Sequence, residues 1–146
     1  MLLHNDYIVL RLTEQVQESP KYWFQCVAQA KDYALQVHGI RLWSFWWSAR
    51  KATYRKGWTF DPALWNKLTP WPTVRAERWD IVVINSFTGN PDWHVWVIHK
   101  QIDWGYYIIE QNAKTGNWKW YWDDAIMVNF KIWTDYPILN FYRKRW

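Results

Sequence analysis

Four short apolar runs, separated by turn signals, constrain the fold of this chain more than any other feature. They lie between residue 79 and residue 122 and read WDIVVI, HVWVIHK, YYIIEQ and WKWYW. Runs of this length that are rich in β-branched and aromatic residues predict strands, and the Gly, Pro, Asn and Asp residues between them predict turns. We therefore expect an antiparallel meander, with a further strand over residues 138–142.

The region before these runs has helical spacing. Ser19 and Pro20 favour the start of a helix, and Gly39 favours its end, with apolar residues at helical intervals between them. Residues 41–54 could form a second helix, and residues 57–75, which contain three prolines, are typical of an irregular connection. Helices followed by strands predict an α+β fold, with N-terminal helices packed on an antiparallel β-sheet.

The start of the chain has a different pattern. Residues 1–12 alternate loosely between apolar and polar side chains, which predicts a short strand or an extended arm. With 146 residues the chain has room for one core, so we expect an N-terminal arm at residues 1–18 and a single domain at residues 19–146. No basic segment followed by a long apolar run is present, so we expect neither a signal peptide nor insertion into a membrane.

Tryptophan content and charge indicate a contact surface without naming its ligand. The chain contains 16 Trp and carries a formal net charge of +5. A domain of this size can hardly bury so many indoles, so several should line a cleft or a contact surface. A basic surface favours polyanions, and both nucleic acid and an anionic bacterial cell wall fit that description.

Cys26 is the candidate for chemistry. It is the only cysteine, which excludes an internal disulfide and a cysteine-based zinc cluster. The early turns of a helix favour a thiolate, although a lone cysteine on an apolar helix face is often an inert core residue. A cysteine nucleophile needs a nearby imidazole and a polar group that orients it. His94 opens the second predicted strand, and Glu110 and Asn112 close the third, so a hairpin over residues 103–105 would bring these groups together.

Five segments of the chain resemble the CHAP family, the cysteine, histidine-dependent amidohydrolases and peptidases of phage lysins and bacterial wall hydrolases. The family's nucleophile motif is matched by Gln25-Cys26-Val27, its Gly-Asp strand by Asp80-Ile81-Val82-Val83, and its Gly-His-Val motif by Trp93-His94-Val95. Its Glu-Gln-Asn motif is matched by Glu110-Gln111-Asn112, and its last strand by residues 138–143. The resemblance covers residues 19–146 and implies a papain-like fold.

The resemblance also implies the roles of four residues. Cys26 attacks the substrate, His94 exchanges the proton, and Glu110 orients or polarises His94. Asn112 is a further polar member of the same site. The reaction implied is hydrolysis of an amide bond in peptidoglycan.

Two further residues are candidates for substrate binding. The backbone N–H of Cys26, with help from Gln25, would hold the oxyanion. Trp93 stands where the family usually has Gly, and a large ring there can narrow the groove, form a platform for a sugar or mark a domain that has lost activity. The acidic residues that bind calcium in several relatives have no counterpart in the segment SPKYWFQ, so we expect no metal and no cofactor.

These observations favour an enzyme over a binding module. We expect a peptidoglycan hydrolase, either an N-acetylmuramoyl-L-alanine amidase or an endopeptidase, acting as a phage endolysin or a virion-associated lysin. Its partners would be bacterial peptidoglycan and possible phage structural proteins, and it would act from the host cytoplasm after release to the cell wall, or from the virion. The alternative is a catalytically inactive CHAP-fold structural or binding module of a phage particle. A nucleic-acid binder ranks last, so no nucleic acid is expected as a partner.

Overall fold

The described residues contain two helices and a six-stranded antiparallel sheet. The computed structural model describes residues 1–11, 26–43, 49, 52–68, 75–84, 94–103, 105–110, 127–132 and 138–146. The helices are α1 (His4–Arg11) and α2 (Cys26–His38), and the strands are β1 (Trp65–Leu68), β2 (Ile81–Ile84), β3 (His94–Ile102), β4 (Gly105–Glu110), β5 (Met127–Ile132) and β6 (Ile138–Lys144). The predicted α+β fold is confirmed.

The sheet has the strand order β1-β6-β2-β3-β4-β5. Strands β2 to β5 form the expected meander, and β6 returns to lie between β1 and β2. The predicted strands β2, β3, β4 and β6 are confirmed, whereas the run WKWYW lies outside the described residues and β5, which follows it, was not predicted. The hairpin between β3 and β4 turns where Ile102 pairs with Gly105, as expected.

Gly39 ends helix α2. Its φ of 67° lies in the left-handed region, which glycine adopts without steric cost. The backbone N–H groups of Gly39 and Ile40 donate to the carbonyls of Leu35 and Ala34, both at 3.1 Å, and so satisfy acceptors at the helix end. The predicted stop is confirmed, while Ser19, Pro20 and residues 21–25 lie outside the described residues.

Both faces of the sheet are apolar. One face packs against α2 and α1 in a cluster that includes Cys26, Val27, Ala30, Tyr7, Ile81, Val83, Val95, Val97 and Ile109. The other face carries a second buried cluster that includes Val82, Ile84, Trp96, Ile98, Ile108 and Phe141. Because neighbouring strand residues point to opposite faces, a strand buried on both sides is a continuous apolar run, as HVWVI is.

The expected strand or extended arm over residues 1–12 is wrong, because residues 4–11 form helix α1. His4 and Tyr7 are its buried residues, three positions apart on one helical face. The hydroxyl of Tyr7 donates to Asp32 at 2.8 Å, and Arg11 forms an ion pair with Asp32 at 3.1 Å, which holds α1 against α2. The proposed domain boundary at residue 18 lies outside the described residues.

Two expectations about the region between α2 and β2 also need correction. Residues 41–43 and 52–54 are not helical; Tyr54 instead forms a parallel bridge with Phe60, and residues 44–48 lie outside the described part of the chain. The connection over residues 57–75 contains strand β1, whose Trp65 is fully buried and pairs with Lys144 of β6. The ring of Phe60 stacks on Tyr142 at 3.7 Å, which fixes this connection to the sheet.

None of the helices that the structure describes is long and apolar enough to cross a membrane.

Candidate active site

Cys26 is the first described residue of α2, and its side chain faces the sheet. It is a free cysteine with 5% of its surface exposed. It belongs to the same buried cluster as Val95 of β3 and Ile109 of β4. The proposed nucleophile therefore lies in the core between α2 and the sheet.

The backbones of His94 and Glu110 lie at one end of the sheet. His94 is the first residue of β3, and its Cα partner in β2 is Ile84. Glu110 is the last residue of β4 and follows Ile109, which pairs with Val97 of β3. The hairpin thus brings the start of β3 beside the end of β4, as the sequence predicted.

The side chain of His94 lies on the sheet face away from α2. Its ring contacts that of Trp96 edge to face, with centroids 6.1 Å apart and planes at 86°. Trp96 belongs to the second cluster, whereas Val95 between them belongs to the cluster that contains Cys26. A thiol–imidazole hydrogen bond would therefore require the ring of His94 to turn toward α2 at the first position of β3.

The other candidate residues are only partly described. The backbone of Glu110 is placed in β4, while Gln25, Trp93 and Asn112 lie outside the described residues. The catalytic and substrate-binding roles assigned to these residues by resemblance stay predictions, as do the roles of Cys26 and His94.

Asp80 and Arg143, both part of segments that resemble the CHAP family, form a clamp that the sequence did not reveal. Asp80 is 1% exposed and accepts hydrogen bonds from Arg143 Nε at 3.0 Å, from Arg143 Nη2 at 2.8 Å and from the backbone N–H of Glu77 at 2.7 Å. Burial raises the pKa of Asp80, and these three hydrogen bonds oppose that shift by favouring the carboxylate. The pair ties the residue before β2 to β6.

Three histidines that the CHAP resemblance leaves without a role are buried or half-buried on the α2 side of the sheet. His4 Nδ1 shares a hydrogen bond with the hydroxyl of Tyr33 at 2.5 Å, and His4 Nε2 shares one with His99 Nδ1 at 2.8 Å. Burial, with the charges of His99 and Arg78, lowers the pKa of His4 to about 3. Burial, followed by the charge of Lys144, lowers that of His38 to about 4, so both rings are neutral at pH 7.

Comparison with known proteins identifies the fold. No protein-family model matches the chain, and no curated protein matches it. Among solved structures, that of the wild-type endolysin LysIME-EF1 matches with a TM-score of 0.74 over 98% of this chain, at 14% sequence identity. The chain shares its fold with that endolysin.

A second solved structure, that of Ly7917, matches with a TM-score of 0.56 over 82% of this chain, at 16% identity. The chain spans 64% of the length of LysIME-EF1 and 53% of the length of Ly7917, which is less than two thirds of either. The two likenesses agree with the α+β architecture described above.

Proposed function

We propose that this chain is a peptidoglycan hydrolase that cuts an amide bond with Cys26 as its nucleophile and His94 as its base. The observation that carries the proposal is the fold, which is shared with an endolysin over 98% of the chain. The place of Cys26 supports it, because the thiol lies in the buried cluster between α2 and the sheet, and the β3–β4 hairpin brings the backbones of His94 and Glu110 to one end of that sheet.

In the proposed reaction His94 takes the proton of the Cys26 thiol, and the thiolate attacks the carbonyl carbon of the amide. The backbone N–H of Cys26, with Gln25, holds the oxyanion that forms. His94 then gives its proton to the leaving amine, which leaves an acyl group on sulfur. Water, deprotonated by His94, hydrolyses this thioester and restores the thiol, while Glu110 and Asn112 orient the imidazole.

The substrate would be either the bond between N-acetylmuramic acid and L-alanine or a bond within the peptide, which corresponds to an amidase or an endopeptidase. Trp93, next to the base, would support a sugar ring at the groove. We place the enzyme in a phage, either as an endolysin released from the host cytoplasm to the cell wall or as a lysin carried in the virion with phage structural proteins.

The contact between His94 and Trp96 favours a second candidate function. Because that ring faces away from the cluster that contains Cys26, it would have to turn toward α2 to pair with the thiol. A catalytically inactive module of a phage particle, which keeps the fold and uses it for binding, would have this arrangement.

Digestion of purified peptidoglycan, followed by mass analysis of the fragments, separates the two functions. We expect the wild type to release fragments and Cys26→Ala and His94→Gln to lose at least about 10³-fold in rate. His99→Gln is the matched control, since it removes a half-buried imidazole from the same strand. Digestion that is unaffected by Cys26→Ala would exclude the proposed nucleophile, and a wild type without activity would favour the inactive module.

A further inference from the structure

A cleft of about 170 Å³ opens where β2 begins and β6 ends. Its lining combines the indoles of Trp79 and Trp146 with the charged residues Glu77, Arg78, Asp80, Arg143 and Lys144. Its volume is smaller than the roughly 300–1,000 Å³ of a site for a drug-sized ligand, so it suits a single ring.

The cleft lies far from the proposed nucleophile. Trp146 contacts the ring of His38, the last residue of α2, with centroids 6.0 Å apart. Cys26 is at the other end of the same 13-residue helix. At 1.5 Å per residue the two ends are about 18 Å apart, so the cleft is separate from the Cys26 end of the domain.

Trp79 occupies a backbone position that ordinarily belongs to glycine. Its φ is 78°, and it is the third residue of a turn that Asp80 closes by donating its N–H to the carbonyl of Glu77 at 3.0 Å. That position of a type II turn requires a positive φ, which a bulky side chain adopts only at a steric cost. Glycine would keep the same backbone hydrogen bonds, including the one from residue 79 to the carbonyl of Ile98.

What tryptophan adds at this position is its indole, which is 38% exposed beside the 79% exposed Trp146. The two rings touch at a centroid distance of 5.3 Å and an angle of 63°, so they form a corner and not a parallel slot. A flat nucleobase is best held between parallel faces, whereas a puckered sugar ring can rest its C–H groups on one indole and turn its hydroxyls toward charged side chains.

The charges of the cleft favour a negative substituent on that ring. Arg143 is engaged with Asp80 and Glu77. Lys144, also in the lining, holds its ammonium group 4.4 Å from the centroid of the Trp146 ring. With Arg78 also in the lining, three cationic side chains face the two carboxylates of Glu77 and Asp80, and this excess attracts an anion to the same place as the sugar ring.

We propose that this cleft is a binding site for a sugar ring that carries a negatively charged group, with Trp79 as its platform and Lys144 as its anion-binding group. The site goes beyond the proposed hydrolysis and requires neither Cys26 nor His94. In a protein that acts on anionic glycans, the cleft would be a second binding site for the polymer. It would lie about one helix length from the bond that is cut.

An NMR titration of the ¹⁵N-labelled chain tests the proposal, because each indole N–H gives its own signal. The probes are N-acetylglucosamine, which is neutral, N-acetylmuramic acid, which adds a carboxylate, and N-acetylglucosamine 6-phosphate. We expect both anionic sugars to shift the Trp79 and Trp146 signals and to bind at least about 3-fold more tightly than the neutral sugar. Equal affinity for all three, or tighter binding of adenosine 5′-monophosphate, would overturn the assignment.

Four variants locate the site. Trp79→Gly removes the platform without disturbing the turn, and we expect it to weaken the binding of N-acetylmuramic acid at least about 5-fold. Lys144→Gln should reduce the preference for the anionic sugars over the neutral one.

Two control variants change residues outside the cleft. Trp58→Ala removes an indole that is 42% exposed and lies near Arg55, and Lys100→Gln removes an exposed charge. If these two controls weaken binding as much as the cleft variants do, the sugar binds elsewhere and the proposal fails.

Discussion

The two ends of α2 differ in how their polar groups are held. At the first end Cys26 lies in an apolar cluster, and its candidate base, His94, faces the other side of the sheet. At the second end His38, Asp80 and Arg143 lie among rings, ion pairs and hydrogen bonds that join α2, the turn before β2 and the end of β6. The first end carries the residues with proposed reactivity, and the second is held by contacts between three elements of the fold.

The difference indicates that the two ends of this small domain have different roles. Strand β2 begins beside the Asp80–Arg143 clamp and ends at Ile84, which pairs with His94. A strand fixed at one end by a buried ion pair positions the residues at its other end, because the sheet transmits that register through backbone hydrogen bonds. Asp80 and Arg143 therefore support strands β2 and β6 at the end of the sheet opposite the candidate active site.

Breaking the clamp should have the largest effect on stability. Asp80→Asn removes the buried carboxylate that pairs with Arg143 and leaves the guanidinium only the more exposed Glu77, so it should lower the free energy of unfolding by about 3 kcal/mol. Urea denaturation measures this loss. Asp61→Asn is the matched control, because the carboxylate of Asp61 accepts two backbone N–H bonds but pairs with no arginine in the described part of the chain and is less buried than Asp80, so its loss should matter much less. Equal losses in the two variants would mean that the clamp does not hold the second end together.

The sequence predicted the parts of the fold that depend on local patterns. Strands β2, β3 and β4 and the end of α2 at Gly39 follow from periodicity and turn residues, which act over a few positions. Helix α1 was missed because its buried residues, His4 and Tyr7, are not strongly apolar. Strand β1 was missed because it is defined by pairing with β6, far along the chain.

The candidate site, like the fold, was predictable only where local sequence patterns define it. The hairpin that places His94 and Glu110 at one end of the sheet followed from the turn between two apolar runs. The direction of the His94 side chain could not be predicted. Shifting a strand by one residue exchanges its two faces, and because both faces of β3 are apolar, the sequence pattern does not show which face His94 occupies. The clamp joins residues 63 positions apart, so no local pattern contains it.

The second end should also be the acid-sensitive one. The folded-state pKa of His4, about 3, lies below its ordinary value of 6.5, so folding favours the neutral ring. The stability contributed by this neutral ring is fully present above pH 6.5 and is lost as the pH falls toward 3. His38, with a pKa of about 4, acts in the same direction.

We expect the free energy of unfolding to fall by about 2 kcal/mol between pH 7 and pH 4.5 because of His4. Urea titrations at the two pH values measure it. His4→Gln keeps a polar side chain without a titrating ring, so it should flatten the pH dependence even if it lowers stability at pH 7. An unchanged slope in that variant would assign the acid sensitivity to other groups.

The smallest effect concerns the turn at Trp79. Trp79→Ala and Trp79→Gly both remove the indole and its contact with Trp146, so the difference between them isolates the backbone. At a φ of 78° alanine keeps the steric cost that glycine avoids, and we expect the glycine variant to be more stable by about 1 kcal/mol. Thermal unfolding should show this as a Tm about 2–4 °C higher for glycine than for alanine. Equal Tm values would mean that the turn imposes no strain. Trp79 would then adopt its positive φ without a steric cost.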